Sequence, residues 1–371
     1  MNDIIPLSVP DLTASETYYV TQSLADNWVS SAGPSVTLFE QKVASYVGCN
    51  DAAAVSSGSA ALLLALKALG VGAGDKVIVP DWTFAATANA VIMAGASPVF
   101  VDINENGWCI DASSVFKALQ ELNGIRAVIA VDPLGMSYDV SALNEVCSKF
   151  DVPVIEDAAG ALGSKAHERF CGTSGTLGIF SFNGNKVITT GGGGMVVSND
   201  ATLIGRVKHL AAQARSSNRY LHDAVGFNFR MPSLNAALGL AQMSRLEDII
   251  ARRKKIELTY DKELRPLSKV RLTPRPAYTQ SNGWMYSVQV TSSFLATDLV
   301  NFLGSKNIEA RIFWESLSNQ LPWQAYPRSS LMVSQQISGT VVSLPSSSSL
   351  SLENQNYVIQ AIREWSVKCP E

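Results

Sequence analysis

The sequence predicts an α/β fold with a mostly parallel sheet between helices. Short, nearly unbroken apolar runs recur in the first half of the chain, at 76–80, 98–102 and 127–131. Runs with helical spacing, such as 113–122 and 141–150, separate them. Apolar strands that alternate with helices are typical of a parallel sheet buried on both faces. In such sheets ligands bind at the carboxyl ends of the strands.

The composition of the 371-residue chain predicts a large globular protein, because 47% of the residues are hydrophobic and 16% are charged. We expect a large domain over residues 1–250 and a smaller C-terminal α+β domain over 251–371. The net charge of −3 is spread along the chain, which argues against a nucleic-acid or membrane partner. The N-terminus shows no signal peptide, and we expect a cytoplasmic location.

A metal centre is not expected. The five cysteines are widely spaced and form no CxxC pair, and there are three histidines. Zinc sites need clustered Cys or His ligands, so the cysteines are interpreted as reduced thiols.

The N-terminal half offers a candidate anion site. Residues 13–47 have helical spacing, with Thr13 or Ser15 as the first N-cap and a loop at 28–33. A short strand at 52–55 is followed by small residues and a helix at 60–69. Free amides at a helix N-terminus attract anions, and Gly58 and Ser59 would contribute to such a cradle. The alternative is a serine N-cap with nothing bound.

A lysine follows the sixth strand, at 178–182. Lys186 lies between small polar residues and the four glycines 191–194, before a further strand at 195–198. The pattern is typical of a Schiff-base amine that a planar group approaches closely, provided that burial lowers its pKa. The alternative is a surface lysine in a β-hairpin. The fifth strand, 152–159, carries Glu156 and Asp157.

The C-terminal third is mixed in its pattern. The spacing predicts a long helix over 233–264, followed by a proline-rich boundary and strands near 284–290 and 310–314. Further helices are expected near 298–303 and 353–365.

Together these features match the needs of pyridoxal 5′-phosphate (PLP). Lys186 would join the cofactor, and Asp157 would keep the pyridine nitrogen protonated. Phe84 would stack on the ring, and three residues would bind the phosphate: Gly58, Ser59 and Ser181. Taken singly, Phe84 could instead be a core residue and Asp157 a helix cap.

The chain also resembles the DegT/DnrJ/EryC1/StrS aminotransferases, the sugar aminotransferases of PLP fold type I. The resemblance covers nearly the whole chain. It rests on Trp28-Val-Ser-Ser, Ser57-Gly-Ser-Ala-Ala-Leu, Asp75-Lys-Val-Ile-Val-Pro, Thr83-Phe, Pro98-Val-Phe-Val-Asp, Ile155-Glu-Asp-Ala-Ala, Ser181-Phe-Asn-Gly-Asn-Lys-Val-Ile-Thr-Thr-Gly, Gly226-Phe-Asn-Phe-Arg-Met, Ile308-Glu-Ala-Arg and Leu344-Pro.

The resemblance implies roles for individual residues. Lys186 matches the lysine that forms the Schiff base with PLP and transfers the proton, and Asp157 matches the partner of the pyridine nitrogen. Phe84 matches the ring-stacking position, and Ser59 and Ser181 match phosphate ligands. The resemblance also implies that Asn228 reaches the phosphate of the neighbouring subunit, and hence a homodimer with shared active sites. Family members that act as dehydratases carry histidine instead of the lysine, which this chain keeps.

Three departures from the family pattern lie near the substrate. Gly160 stands where Glu, Gln or His is usual after Asp-Ala-Ala. Residues 131–135 are Val-Asp-Pro-Leu-Gly instead of Val-His-Leu-Tyr-Gly. Arg311 is followed by Ile-Phe-Trp-Glu-Ser-Leu, without the usual proline or the later histidine.

The resemblance is greatest to the branch that aminates 4-keto-6-deoxy UDP-N-acetyl sugars. It implies an aminotransferase that converts a keto-sugar to an amino sugar for cell-surface polysaccharide, with glutamate as donor. One alternative is a keto-sugar without a nucleotide, such as an 8-keto-octulosonate, or another keto nucleotide sugar. Another is a regulatory protein of this fold without turnover.

Overall fold

The structure is a computed structural model that describes residues 4–216 and 220–368. Its helices are α1 (Ala14–Ala25), α2 (Pro34–Val47), α3 (Gly58–Ala68), α4 (Ala85–Met93), α5 (Ala112–Glu121), α6 (Val140–Lys149), α7 (Ala201–Ala211), α8 (Ser233–Met243), α9 (Leu246–Leu264), α10 (Ser293–Ser305), α11 (Met332–Ile337) and α12 (Leu352–Lys368). Its strands are β1 (Asp51–Val55), β2 (Lys76–Pro80), β3 (Ser97–Val101), β4 (Ile125–Val131), β5 (Val154–Asp157), β6 (Lys165–Ala166), β7 (Arg169–Phe170), β8 (Leu177–Ser181), β9 (Gly194–Ser198), β10 (Arg271–Leu272), β11 (Thr279–Gln280), β12 (Ser287–Gln289), β13 (Arg311–Ile312) and β14 (Val341–Ser343).

The main sheet has seven strands in the order β1-β9-β8-β5-β4-β2-β3. Strand β9 is antiparallel to both neighbours, and the pairs from β8 to β3 are parallel. Six strands therefore share one direction, which confirms the mostly parallel sheet. Their carboxyl ends lie at one edge, where the chain continues into the predicted site residues.

Both faces of this sheet are buried. Alternate residues of a strand point to opposite faces. Phe180, Met195 and Val197 belong to one hydrophobic cluster, whereas Ile179 and Val196 belong to another. This arrangement explains why the strands are nearly continuous apolar runs in the sequence.

A second, antiparallel sheet with the order β10-β12-β14-β13 packs with α10 and α12 around its own cluster. The predicted domain boundary at 250/251 falls inside α9. The first turns of that helix contribute Ile249 to the cluster of the large sheet, and its second half contributes Tyr260 to the smaller cluster. Ile5 also joins the smaller unit, with its N–H bonded to the Asn307 carbonyl at 2.9 Å. The division into domains stays a prediction.

Two expectations about the C-terminal third need correction. The single helix expected over 233–264 is two helices, α8 and α9. Arg245 leaves the helical conformation, with φ −114° and ψ 2°, while its guanidinium binds Asp11 and Glu16 at 2.8 and 3.0 Å. These tertiary contacts fix a bend that helical periodicity does not reveal. The strands expected near 284–290 and 310–314 are also shorter. Of these two stretches, only Ser287–Gln289 (β12) and Arg311–Ile312 (β13) pair with neighbouring strands in the sheet.

Four cysteines are free thiols, namely Cys49, Cys109, Cys147 and Cys171; Cys369 lies outside the described residues. Within the described chain, no helix is long and apolar enough to cross a membrane.

The first helix begins with a capping box. Thr13 is the N-cap of α1, and its hydroxyl accepts a hydrogen bond from the Ser15 N–H. The Glu16 carboxylate accepts from the Thr13 N–H at 2.6 Å and from its hydroxyl at 2.7 Å. Of the two candidates for the N-cap, the structure selects Thr13.

We predict that Thr13→Ala lowers the free energy of unfolding by about 1 kcal/mol, the usual contribution of an N-cap hydroxyl. Denaturant unfolding of the full chain measures the change. Thr297→Ala is the matched control, because this exposed threonine lies inside α10 and its hydroxyl only donates to the Ser293 carbonyl. It should be neutral or slightly stabilising, since alanine has the higher helix propensity. Equal losses in both variants would contradict the capping role.

Candidate active site

A cavity of about 500 Å³ opens at the carboxyl-end edge of the large sheet. This volume lies within the range of small-molecule sites. Six of the seven residues predicted for the site line the cavity: Gly58, Ser59, Phe84, Asp157, Ser181 and Lys186. The structure thus brings together residues that are more than 100 positions apart in the chain.

The predicted phosphate cradle lies between the N-terminus of α3 and the end of β8. The Ser57 hydroxyl caps α3 by accepting from the Ala60 N–H at 3.0 Å. A Cβ atom on Gly58 would lie 3.0 Å from the Ser181 Cβ and 3.2 Å from its Oγ. Glycine therefore keeps space open between the helix amides and the Ser181 hydroxyl. The serine N-cap of the alternative interpretation is therefore present, and it does not exclude an anion site, because the open space lies beside it.

Lys186 lies in the connection between β8 and β9, in a turn where its N–H bonds to the Asn183 carbonyl at 3.0 Å. The connection is the β-hairpin of the alternative interpretation, but the half-buried lysine lines the cavity. Burial lowers the pKa of Lys186 to about 8, although the charge of Asp157 acts in the opposite direction. An amine with such a pKa is partly uncharged near neutral pH and can act as a nucleophile.

Asp157 ends β5 and is buried. Its Oδ2 accepts a hydrogen bond from the Thr87 hydroxyl at 3.0 Å, and its Oδ1 accepts from the Ala159 N–H at 3.3 Å. Burial raises the pKa of Asp157, and the Thr87 hydrogen bond and the charge of Lys186 oppose that rise. No helix of the described chain begins here, so the helix-cap interpretation is wrong. Thr87 was missed, since nothing in the sequence pairs α4 with β5.

Phe84 is the N-cap residue of α4 and is 59% exposed. The interpretation of Phe84 as a core residue is therefore wrong. Its ring lies at the cavity with the side chains of Phe313 and Trp314, which come from the C-terminal third of the chain. Arg311 also lines the cavity, paired with Glu309 at 3.2 Å. The lining of the cavity therefore includes aromatic rings and a guanidinium.

The departure at residues 131–135 places Asp132 in the lining of the cavity, next to a second buried acid, Glu156. Asp132 and Glu156 are buried, and with Cys171 their side-chain ligand atoms lie within 4.8 Å of one another. Glu156 Oε2 accepts from the Ser174 and Gly175 N–H groups at 2.8 and 3.2 Å. Burial raises the pKa of both carboxyl groups, and the charge of Glu156 adds to the rise at Asp132. Neither this pair nor a cluster of side chains of the metal-ligand type was predicted from the sequence.

Gly160 packs against Trp284, whose six-membered ring occupies the space that any side chain at position 160 would need. Trp284 also lines the cavity. Trp284 was not predicted as a site residue, because it is distant in sequence from the other site residues and lies in a stretch that was expected to be an ordinary strand.

Asn228 is the one predicted site residue that the cavity of this chain does not include. It is exposed and forms an isolated bridge with Ala212. Its predicted role in a neighbouring subunit stays a prediction.

The residues present fit PLP. The cavity offers an amine of lowered pKa and a buried carboxylate, and a glycine-lined cradle at a helix N-terminus suits a phosphate. This fold and this site define an α/β enzyme that works with pyridoxal phosphate.

The chain belongs to the DegT/DnrJ/EryC1/StrS aminotransferase family, whose model matches residues 10–363. It is 38% identical over 375 residues to a candidate pyridoxal phosphate-dependent aminotransferase of Bacillus subtilis, EpsN, covering 98% of this chain and 96% of the relative. It is 36% identical over 363 residues to the GDP-perosamine synthase of Escherichia coli O157:H7, covering 97% and 98%. A solved DegT DnrJ EryC1 StrS aminotransferase from Brucella abortus has a TM-score of 0.90 at 28% identity, with 95% of each chain covered. The protein is therefore a PLP-dependent sugar aminotransferase.

We predict that the amine of Lys186 in the cofactor-free full-length chain reacts with acetic anhydride with a midpoint near pH 8. Only the uncharged amine reacts, and N-acetyl-lysine amide as reference has a pKa of about 10.4. Asp157→Asn should move the midpoint to lower pH, because it removes the charge that favours the ammonium form. Peptide mass spectrometry after labelling measures both values. A midpoint at the reference value would contradict the burial of this amine.

Proposed function

We propose that the enzyme transfers an amino group from glutamate to the ketone of a 4-keto-6-deoxy nucleotide sugar, for a cell-surface polysaccharide. The observation that carries the proposal is the convergence of Lys186 and Asp157 on one cavity of about 500 Å³. Relatives named GDP-perosamine synthase support a sugar carried on a nucleotide. A relative named for spore coat polysaccharide biosynthesis supports the destination of the product.

In this proposal Lys186 holds the cofactor through its amine and later moves a proton as a base at the same atom. Bound in the cavity, PLP supplies a carbonyl that reacts with amines and a ring that accepts electrons. Asp157 is held by Thr87 and the Ala159 N–H. Its carboxylate would accept the hydrogen bond of a protonated ring nitrogen of the cofactor and so stabilise the positive charge there.

The remaining cofactor contacts follow from the same cavity. Gly58 and Ser59 offer the first amides of α3 to a phosphate, and Ser181 adds its hydroxyl from β8. Phe84 presents an exposed ring at the cavity and can stack on a planar group.

The substrate side of the cavity supports an anionic sugar. Apolar sugar faces pack on aromatic rings, which Phe313 and Trp314 provide. The guanidinium of Arg311 can bind a diphosphate or a carboxylate with paired hydrogen bonds. The proposal includes a cytoplasmic location, which the interpretation of the cysteines as reduced thiols supports.

The test is a panel of keto-sugars incubated with the enzyme and ¹⁵N-glutamate, with product masses read by mass spectrometry. The panel contains 4-keto-6-deoxy sugars on GDP and on UDP, and an 8-keto-octulosonate without a nucleotide. We expect a ¹⁵N-labelled amino sugar from a nucleotide-linked substrate. Lys186→Ala should reduce the rate by more than about 10²-fold, since nucleophile and base are both lost.

Lys186→Arg is the matched control, because it keeps a positive charge but cannot form the covalent link, and it should be equally inactive. Amination of the octulosonate alone would replace the nucleotide sugar with the free-sugar alternative. No product from any substrate, with the cofactor bound, would favour the regulatory alternative.

We also propose a homodimer in which Asn228 completes the site of the partner subunit. Asn228 lies outside the cavity of its own chain, on a segment bridged to α7 through Ala212. In a twofold interface each subunit contributes the same surface to the other, so a residue of this kind can complete the partner's site.

Mixing inactive Asn228→Ala subunits with inactive Lys186→Ala subunits tests this arrangement. Heterodimers would hold one doubly damaged site and one intact site, and activity should rise to about one quarter of the native value after random exchange. Native mass spectrometry confirms that heterodimers form. Heterodimers no more active than the parents would exclude a shared site.

A further inference from the structure

Trp284 reaches the active-site lysine from the C-terminal part of the chain. The Lys186 amine lies 4.0 Å from the centroid of the Trp284 ring, a cation–π distance. The indole N–H donates a hydrogen bond to the Asn185 carbonyl oxygen at 2.7 Å, and the side chain is 5% exposed. The ring is thus anchored to the residue that precedes the lysine, with its face toward the amine.

Gly160 leaves the space that this indole fills. A Cβ atom at position 160 would lie 2.3 Å from Cζ3 and 2.4 Å from Cε3 of Trp284. Non-bonded carbons do not approach so closely, and the anchored ring cannot move aside without losing its hydrogen bond. As long as residue 284 is tryptophan, residue 160 has to be glycine. The Glu, Gln or His usual in the family has no room here.

Asn282 fixes the two residues relative to each other. Its side-chain amide donates to the carbonyl oxygens of Gly160 and Leu162 at 3.0 and 2.9 Å. The side-chain carbonyl oxygen of Asn282 accepts a hydrogen bond from the backbone N–H of Trp284 at 2.9 Å. Met285 follows with φ +54°, a left-handed conformation that residues other than glycine seldom adopt. Hydrogen bonds and an unusual backbone conformation therefore fix the position and orientation of the Trp284 indole.

We propose that Trp284 is a positioning residue for Lys186, and that its indole face holds the charged amine beside the cavity whenever the lysine is not joined to the cofactor. The inference rests on the proposed role of Lys186 in binding the cofactor. In a transaminase the lysine has to leave the cofactor while the amino group is carried, and then has to return. While the long, flexible Lys186 side chain stays on the indole face, its amine remains close to the position at which it joins the cofactor again.

The electrostatic effects on the Lys186 amine distinguish a positioning role of Trp284 from a purely space-filling role. Burial favours the uncharged amine, whereas the charge of Asp157 favours the ammonium form. The negative face of the indole acts in the same direction as Asp157, but through direct contact. A side chain that only filled space would add to the burial of the amine and so favour its uncharged form.

The experiment repeats the acetic anhydride labelling of Lys186 in the full-length chain with Trp284→Leu and Trp284→Phe. Leucine keeps an apolar side chain but removes the ring, so the pKa of Lys186 should fall by about half a unit to one unit. Phenylalanine keeps a weaker ring contact and should show a smaller fall. Trp314→Leu is the matched control, since Trp314 lines the same cavity but packs on Trp82 and Phe313. It should leave the labelling unchanged.

A double-mutant comparison tests the pair with Gly160. Gly160→Ala should lower the melting temperature of the chain, loaded and cofactor-free, by about 2 to 6 °C. In the Trp284→Leu background the same change should have little effect. Equal losses in both backgrounds would show that the glycine serves another purpose.

An unchanged or raised pKa in Trp284→Leu, with the same result in Trp284→Phe, would overturn the positioning role. Borohydride reduction of the loaded protein, followed by peptide mass spectrometry, shows independently whether the cofactor is on Lys186. Cofactor on Lys186 with unchanged labelling would reject only the role of Trp284. Cofactor on another residue would reject the proposed function as well.

Discussion

The site depends on the parallel pairing of β5 between β4 and β8. This pairing places the last residue of β5, Asp157, at the same edge as the ends of its neighbours. Asp132 follows β4 and donates its N–H to the Asp157 carbonyl at 3.0 Å, so the strand end is held after the regular ladder stops. If the register shifted by one residue, Asp157 would point to the opposite face of the sheet. The cavity would then lack its buried carboxylate.

Burial at this edge makes opposite charges necessary. A carboxylate and an ammonium group each lose hydration when apolar strands and aromatic rings surround them. Asp157 and Lys186 shift each other's pKa in the direction that favours charge, and hydrogen bonds from Thr87 and Ala159 support the carboxylate. Asp132 also lines the cavity and lies close to the buried Glu156, and burial raises the pKa of both carboxyl groups.

The residues proposed to bind the cofactor could be predicted from the sequence because they lie in short, local segments. The turn before α3, the end of β5 and the β8–β9 connection each bring their residues together within a few positions. Composition and order were therefore enough to expect Lys186 and Asp157 at one cavity, where both lie. The contacts that were missed join distant segments. Thr87 and Asp157 are 70 positions apart, and Trp284 and Asn185 are 99 apart. Periodicity describes one element at a time, and it cannot say which elements meet.

This difference in sequence distance also explains where the chain departs from its family pattern. The cofactor is the same throughout a PLP family, so the local turns that we propose to bind it are expected to have little freedom to change. The opposite wall comes from the C-terminal third, where Trp284 and Trp314 supply rings and Arg311 supplies a cation. A large ring at 284 forces glycine at 160, because the two positions compete for one volume. Substitutions on the substrate side are therefore coupled across the two parts of the chain, and a single change at Gly160 without a smaller residue at 284 would disturb the lysine instead of creating a new substrate contact.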